Sequence, residues 1–228
     1  VEVYFKKDDH RYIFIDTAGL RRRNKVVEKI EYFSTLRTAR ALVNADLVVV
    51  VLDANETVSD QDKKIMAEVM KNKRNMIVFV NKWDTTDRTD EARQELEEKL
   101  EKTMPGIEYY PILMGSATEK HNLGKLFQLI PEVLAESVRR VPTAELNRFV
   151  DQVILKVPPP AKKGKRLKVL YSTQAETSPP TFVFFVNDPF LVSAEYRRFL
   201  ERRLREFFGG LKGAAVRIRF RSRRGETE

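Results

Sequence analysis

Two short, almost entirely apolar runs constrain the fold of this chain more than any other feature. Residues 47–52 and 76–80 contain only aliphatic and aromatic side chains and one methionine. Strands that are apolar along their whole length are typical of parallel sheets, whose two faces are both covered by helices. Strand and helix patterns alternate from residue 10 to about residue 138. This alternation predicts an α/β fold with a doubly wound, mostly parallel sheet.

Periodicity and capping signals predict the other elements of this part. Residues 1–7 and 10–15 read as the two strands of a hairpin. Ser59 followed by Asp62 is a capping-box pattern and indicates a helix that runs to about residue 72. Further helices are predicted at residues 31–43, 91–103 and 122–137, and a further strand at 111–114.

The charge of the chain is unevenly distributed. Residues 1–141 hold 24 basic and 24 acidic side chains, which sum to zero. Residues 142–228 hold 18 basic and 9 acidic side chains, so the whole net charge of +9 lies there. We therefore predict two domains, 1–141 and 142–228, and expect the second to meet a polyanion.

Composition also excludes several kinds of site. The sequence has no cysteine, which excludes disulfides and thiolate-bound metals and fits a reducing cytoplasm. Its two histidines, His10 and His121, leave little room for a histidine metal centre. The longest apolar run, residues 47–52, is far shorter than the roughly 18 residues that span a bilayer. No membrane partner is expected, and the first residues carry no signal-peptide pattern.

The quartet Asn81-Lys82-Trp83-Asp84 directly follows the second apolar run. The Asp84 carboxylate has two acceptor oxygens, which match the N1–H and the exocyclic amine of guanine. Lys82 can lay its alkyl stem over the base, and Asn81 can tie the turn to a neighbouring loop. Adenine lacks that donor pair and would leave the carboxylate unpaired. The alternative is an ordinary strand-to-helix loop with solvated polar residues.

Two more polar motifs follow other predicted strands. Asp16-Thr17-Ala18-Gly19-Leu20 follows the strand at 10–15, and Ser116-Ala117-Thr118 follows the strand at 111–114. Asp16 can hold Mg²⁺ through water, and the Gly19 N–H can meet a terminal phosphate. The alternative is a turn in which Asp16 caps the next segment. Since parallel strands share one carboxyl edge, all three motifs are predicted to lie on one rim.

In this order, the motifs resemble the GTPase domain of translation factors. Asp16–Gly19 resembles the switch-II motif, Asn81–Asp84 the guanine-specificity motif, and Ser116–Thr118 the loop whose backbone N–H meets the guanine carbonyl. The resemblance implies GTP or GDP as ligand, with Mg²⁺ on the phosphate side. Leu20 stands where many GTPases have the glutamine that orients the attacking water. The hydrolytic group therefore stays unknown, and a monovalent cation is one alternative.

The second domain narrows the resemblance to one family. The run Ser178-Pro179-Pro180-Thr181-Phe182-Val183-Phe184-Phe185-Val186-Asn187 looks like the C-terminal domain of the Der (EngA) family, where a KH-like domain follows two G domains. The chain resembles the latter part of the second G domain plus the KH-like domain. This implies a GTPase that couples nucleotide state to rRNA and the large ribosomal subunit during assembly. The alternative is a non-enzymatic RNA-binding or assembly protein with a degenerate G domain.

The phosphate-binding loop G-x-x-x-x-G-K-[ST] is missing from these 228 residues, as is the threonine-bearing switch-I loop. We expect a P-loop-GTPase-type sheet without its first strand and helix, those parts lying on a segment not among these residues. We therefore predict that the 228-residue chain alone does not hydrolyse GTP. Multiple-turnover phosphate release by the purified chain would contradict this prediction.

The basic domain has the order helix, strand, strand, helix, strand, predicted at 144–155, 167–173, 181–186, 194–208 and 216–221. This order gives a small α+β unit with a three-stranded sheet, as in a KH-like domain. Its arginines are predicted to lie on the exposed side of the second helix, Arg203 and Arg205 among them. Basic loop, helix and strand suit contacts with RNA phosphates, and a solvated arginine-rich surface is the alternative. The predicted RNA-binding residues are Lys162, Lys163, Lys165, Arg166, Arg197, Arg198, Arg202, Arg217, Arg219 and Arg221.

The sequence Gly210-Leu211-Lys212-Gly213 matches the GXXG motif with which KH domains clamp a nucleic-acid backbone. Here it stands between a helix and a strand, not between two helices. A helix C-cap and turn at Gly209-Gly210 explains it better. RNA recognition is therefore expected through charge and shape.

Overall fold

A computed structural model of the chain describes residues 2–7, 10–15, 44–157 and 164–222. The motif Asp16–Leu20, the helix predicted at 31–43, and Lys162 and Lys163 lie outside these residues. The elements of the first part are β1 Glu2–Lys7, β2 His10–Ile15, β3 Leu47–Asp53, α1 Asp60–Lys71, β4 Asn75–Asn81, α2 Asp90–Thr103, β5 Ile112–Met114 and α3 Leu123–Val138.

The predicted parallel sheet is present, with β3, β4 and β5 side by side and β4 in the centre. Side chains of β4 alternate between two cores. Met76, Val78 and Val80 pack with α1 and α2 on one face, while Ile77 and Phe79 pack with α3 on the other. Helices on both faces explain why β4 is apolar throughout, and they confirm the doubly wound α/β fold.

The capping box predicted at the start of α1 is also confirmed. The Ser59 N–H donates to Asp62 Oδ2 at 3.0 Å, and the Asp62 N–H donates back to Ser59 Oγ at 3.2 Å. Each side chain thus satisfies a backbone N–H that the first helical turn leaves without a partner.

The hairpin is placed differently from the expectation. β1 and β2 pair with each other in an antiparallel sheet of two strands, separate from the parallel sheet. The strand that precedes Asp16 therefore does not share a sheet edge with β4 and β5. Among the described residues no strand pairs with the outer edge of β3, where Val51 is 53% exposed although full burial was predicted. Within the described part of the chain, the hairpin and the parallel sheet are therefore not joined by a strand.

The second domain consists of α4 Thr143–Phe149, β6 Val169–Glu176, β7 Thr181–Val186, α5 Ala194–Phe208 and β8 Arg217–Ser222. A π-helical turn, Val150–Ile154, continues α4. β6 is antiparallel to β7, and β7 is parallel to β8. Both helices cover one face of the sheet with a core that includes Phe149, Phe182, Phe184, Leu200 and Phe220. The predicted α+β order is confirmed, while the boundary near Val141 remains a prediction.

The Gly210–Gly213 loop docks the second domain on the first. The Met76 N–H donates to Gly213 O at 3.0 Å, and the Gly213 N–H donates to Tyr109 O at 2.7 Å. The Ala215 N–H donates to the buried Asn75 side chain at 3.0 Å. These contacts lie at the amino ends of β4 and β5, opposite the edge where Asn81 stands. Gly209 caps α5 in the left-handed conformation, as predicted.

Arg205 was predicted to be exposed, and this was wrong. Its guanidinium is buried between the domains, donates to Leu211 O at 2.6 Å and Ala214 O at 3.0 Å, and lies 4.5 Å from the centre of the Tyr109 ring. Docking removes the loop carbonyls from water, so they need buried donors, and Arg205 provides them. Helical periodicity alone could not reveal this partner surface.

Candidate functional site

The turn after β4 is tied to the loop after β5, as the sequence predicted for Asn81. The Ala117 N–H donates to Asn81 Oδ1 at 2.9 Å. The Trp83 N–H donates to Gly115 O at 3.0 Å, which adds a backbone link between the same two segments. The motifs that begin at Asn81 and at Ser116, 35 residues apart in the sequence, thus form one surface at the carboxyl edge of the sheet.

Lys82 is held by Asp53, a residue outside the predicted motifs. Its backbone is left-handed, with φ 62° and ψ 28°, and its Nζ lies 2.7 Å from Asp53 Oδ2. The pKa of the Asp53 carboxyl is lowered, first by the hydrogen bond from Lys82 and then by those from Asn55. Asp53 is the last residue of β3 and pairs in register with Asn81. The sequence signal for this role was a polar residue at the end of the apolar strand β3.

Asp84 lies in the single 3₁₀ turn Trp83–Thr85 and is half-buried. Its carboxylate makes no hydrogen bond or ion pair with any of the described residues. The neighbouring Thr85 is fixed, because its hydroxyl accepts from Asn55 Nδ2 at 2.7 Å and donates to Lys82 O at 2.7 Å. A partly desolvated carboxylate on an anchored turn is a strong acceptor for a ligand with two adjacent N–H groups.

The loop that contains Ser116 is rigid for identifiable reasons. The Ser116 N–H donates to His121 O, and Ser116 Oγ accepts the Glu119 N–H, each at 3.1 Å. A Cβ on Gly115 would lie 2.6 Å from the Phe79 ring and 2.7 Å from His121 O, so only glycine fits there. Ser116 is buried and shapes the loop, while Ala117 and Thr118 are exposed at the edge.

Trp83 differs from the expectation for a base-contacting residue. Its side chain is 8% exposed and belongs to the core that α1 and α2 form with the sheet. The indole therefore anchors the turn from below, whereas the side chains of Lys82 and Asp84 reach the surface. The sequence of an N-K-x-D motif does not show whether the side chain at position x faces the core or the ligand.

The predicted RNA-binding residues fall into two groups. Lys165, Arg166, Arg198, Arg202 and Arg221 are exposed, although Arg198 and Arg202 also form surface ion pairs with Glu195 and Glu206 on the same helix. Arg197 is instead engaged within the domain, donating to Ile218 O at 2.7 Å, and Arg217 and Arg219 pair with Glu176.

Two predicted features concern the phosphate side of the site. Asp16, the predicted Mg²⁺ ligand, lies outside the described residues. Within the described ranges, no group of three or more His, Asp or Glu side chains could hold a metal ion.

None of the helices in those ranges is both long and apolar enough to cross a membrane.

Comparison with known families supplies the remaining observation. Residues 1–136 match the model of the elongation factor Tu GTP binding domain. Residues 140–221 match the model described as KH-domain-like of EngA bacterial GTPase enzymes, C-terminal. The chain belongs to the Der (EngA) GTPase family. The sequence motifs thus predicted the correct family.

Individual relatives agree with this assignment. GTPase Der of Desulforudis audaxviator (strain MP104C) is 42% identical over 98% of this chain and 51% of that protein. GTPase Der of Natranaerobius thermophilus is 36% identical over 96% of this chain and 49% of that protein. The chain thus spans about half the length of these Der relatives. Among solved structures, Era in complex with MgGDPNP and a 16S ribosomal RNA segment aligns over 97% of this chain and 79% of that chain, with 16% identity and a TM-score of 0.48.

Proposed function

We propose that this chain supplies the guanine-recognition part and the RNA-binding domain of a Der-type GTPase. The intact protein would hydrolyse GTP to GDP and phosphate and couple that reaction to ribosome assembly in the bacterial cytoplasm. The observation that carries the proposal is the half-buried Asp84 carboxylate, which no described residue pairs, on a turn fixed by Asn81 and Trp83.

Guanine recognition follows from these groups. Asp84 accepts from the N1–H and the exocyclic amine, a charge-assisted pair of hydrogen bonds that adenine cannot form. The ion pair with Asp53 holds the Lys82 ammonium, so the alkyl stem of Lys82 covers the base face. Ala117 and Thr118 are the exposed loop residues nearest in sequence to the link with Asn81, and they meet the guanine carbonyl.

The phosphate side rests on the family resemblance. A carboxylate such as Asp16 suits Mg²⁺, which prefers oxygen ligands, and the Gly19 N–H suits a terminal phosphate. When bound, Mg²⁺ neutralises charge that develops on the phosphate oxygens during transfer. This chain orients the base and holds the Asp16 carboxylate and the Gly19 N–H next to the nucleotide.

Nucleotide titration tests the proposal. The 228-residue chain is titrated with GDP and, separately, with ADP, while backbone amide resonances are followed by NMR. We expect GDP to shift the resonances of the two edge segments, residues 81–84 and 115–118, and ADP to leave them unchanged at the same concentration. Equal shifts with both nucleotides would overturn the guanine assignment.

The second domain is proposed to bind rRNA, with the large ribosomal subunit as partner. The whole net charge of +9 belongs to residues 142–228, and Lys165, Arg166, Arg198 and Arg202 are exposed there. Phosphate contacts release counterions, so affinity must fall as salt rises.

We therefore predict salt-dependent binding of structured RNA. About four phosphate contacts would give a slope of log K against log salt of about −3 to −4. Filter binding between about 50 and 200 mM salt measures this slope. Replacing Arg198 and Arg202 by glutamine should lower the affinity and make the slope shallower, whereas Lys99→Gln with Lys102→Gln on α2 should change neither. An affinity indifferent to ionic strength would exclude phosphate-driven binding.

A second candidate is a non-enzymatic RNA-binding assembly protein. The absence of the phosphate-binding loop from these 228 residues favours it. Guanine-specific shifts in the titration above would argue against it, because a degenerate G domain has no need to distinguish the two bases.

A further inference from the structure

The sheet of the second domain has one face covered by α4 and α5 and a second face with an ordered pattern of side chains. Cross-strand pairing aligns one residue from each strand in three successive rows. Only one of these rows is aromatic on two strands and basic on the third. The rows are Tyr171–Phe185–Arg221, Thr173–Val183–Arg219 and Glu176–Thr181–Arg217.

Within the aromatic row, the ring face left for a ligand is that of Tyr171, on the edge strand β6 and pointing away from Phe185. The Tyr171 and Phe185 rings are stacked, with centroids 4.3 Å apart and an angle of 14° between their planes. Tyr171 is 36% exposed and Phe185 is half-buried. A cross-strand aromatic pair also stabilises a sheet, so packing alone is the competing explanation. Packing alone, however, does not explain why this pair lies next to the three arginines of β8.

The arginines next to this pair carry an excess of positive charge. Arg217 and Arg219 share one carboxylate, that of Glu176, at 3.8 and 3.1 Å. Arg221 is exposed and lies in the aromatic row. Three arginines and one glutamate leave this face with a net charge of +2. A polyanion lying along β8 would thus meet one exposed guanidinium and two that are only partly neutralised.

We propose that this face binds single-stranded RNA, with an unpaired base stacked on the Tyr171–Phe185 pair and flanking phosphates on Arg219 and Arg221. The proposal rests on the proposed RNA-binding function of the domain and specifies its ligand. Unpaired nucleotides fit because a base inside a duplex is already stacked and cannot lie on a protein ring. The Gly210–Gly213 loop, whose backbone is committed to the first domain, takes no part.

Variants of the aromatic pair test this proposal on the whole 228-residue chain. Fluorescence anisotropy measures binding of a labelled oligouridine of about 12 nucleotides, a length within the usual range of single-stranded sites. Tyr171→Leu and Phe185→Leu should each weaken binding about tenfold, the effect of losing one stacked base, with an unchanged salt slope. Tyr171→Phe keeps the ring and should bind like the wild type. Phe190→Leu is the matched control, because Phe190 is 68% exposed and outside the three rows.

Charge variants separate the two proposals. Arg219→Gln with Arg221→Gln should weaken binding and reduce the salt slope by about two. If those arginines matter but Tyr171→Leu and Phe185→Leu bind like the wild type, the stacking platform is wrong and RNA binding by charge stands. If neither oligouridine nor structured RNA binds in a salt-dependent way, both proposals fail.

A measurement on the unmodified chain guards against variants that misfold. Photocrosslinking of the wild type with 5-iodouridine RNA should place the crosslink on Tyr171 or Phe185, since halogenated bases react with aromatic rings they stack on. Crosslinks confined to α5 or to the Lys165–Arg166 segment would overturn the proposed site.

Discussion

Replacing Gly213 by valine is expected to destabilise the docked arrangement of the two domains by about 2–6 kcal/mol. Gly213 has φ +76°, and a Cβ there would lie 2.5 and 2.9 Å from the two Val133 methyl groups and 3.0 Å from Pro111 Cδ. A left-handed β-branched residue costs about 1–3 kcal/mol, and overpacking costs a similar amount. The backbone cannot move away, because the N–H and the carbonyl of Gly213 each bond to the first domain.

Urea denaturation measures this effect with a convenient probe. Trp83 is the only tryptophan and lies in the core of the first domain, so its fluorescence reports on that domain. Circular dichroism reports on both domains. We expect a lower urea midpoint for Gly213→Val, and the two signals should separate if docking is lost.

Gly124→Ala is the matched control for this experiment. Gly124 is an exposed residue of α3, and a Cβ there would meet nothing within 4 Å. Alanine is favoured over glycine by about 1 kcal/mol in a helix interior, and Gly124 lies in the first turn of α3, so this variant should be as stable as the wild type or slightly more stable. A Gly213→Val chain with an unchanged urea midpoint would show that the loop is not docked in solution.

The docking itself could not be predicted from the sequence. Gly210–Gly213 has the letters of a nucleic-acid clamp, and its position after α5 predicted only a cap and turn. Its partners are Met76 and Tyr109, more than 100 residues earlier in the chain. Local patterns contain no signal for such a contact, and the same limitation explains the wrong prediction for Arg205. Since backbone hydrogen bonds join the domains, we expect them to move as one body.

The sheet was predicted well where each strand has its own pattern. β3, β4 and β7 are apolar runs with clear ends, and the structure confirms them within one or two residues. Which strands share a sheet depends on neighbours. The strand at 10–15 was assigned to the parallel sheet because strand and helix patterns alternate from residue 10 onward, whereas no described strand joins it to β3.

In the candidate site too, residues within a local motif were predicted and a residue without one was missed. Asn81 was predicted to tie its turn to a neighbouring loop on the shared rim of a parallel sheet, and it does so by accepting the Ala117 N–H. Asp53 was missed because a single acidic residue after a strand has no motif around it. Its role becomes visible only in the register of β3 with β4, which places it against Asn81 and within reach of Lys82.

Replacing Asp84 by asparagine is expected to change the base that the site prefers. Asparagine keeps one acceptor oxygen for the N1–H but replaces the second oxygen with an NH₂ donor. That donor faces the exocyclic amine of guanine unfavourably, while xanthine has a carbonyl at the same position. Loss of one charge-assisted hydrogen bond and the new donor–donor contact should weaken GDP binding about 100-fold, or about 3 kcal/mol. XDP should bind more tightly to the variant than to the wild type.

The same NMR titration, with GDP, XDP and ADP, measures this change in the preferred base. Asp87→Asn is the matched control, since Asp87 is an exposed aspartate three residues further along and outside the 3₁₀ turn. It should leave the order of the three nucleotides unchanged. An Asp84→Asn chain that still prefers GDP would mean that the carboxylate faces away from the base. Lys82, held by Asp53, would then contribute only stacking, which does not distinguish purines, and the selectivity would have to arise from the Ser116–Thr118 loop.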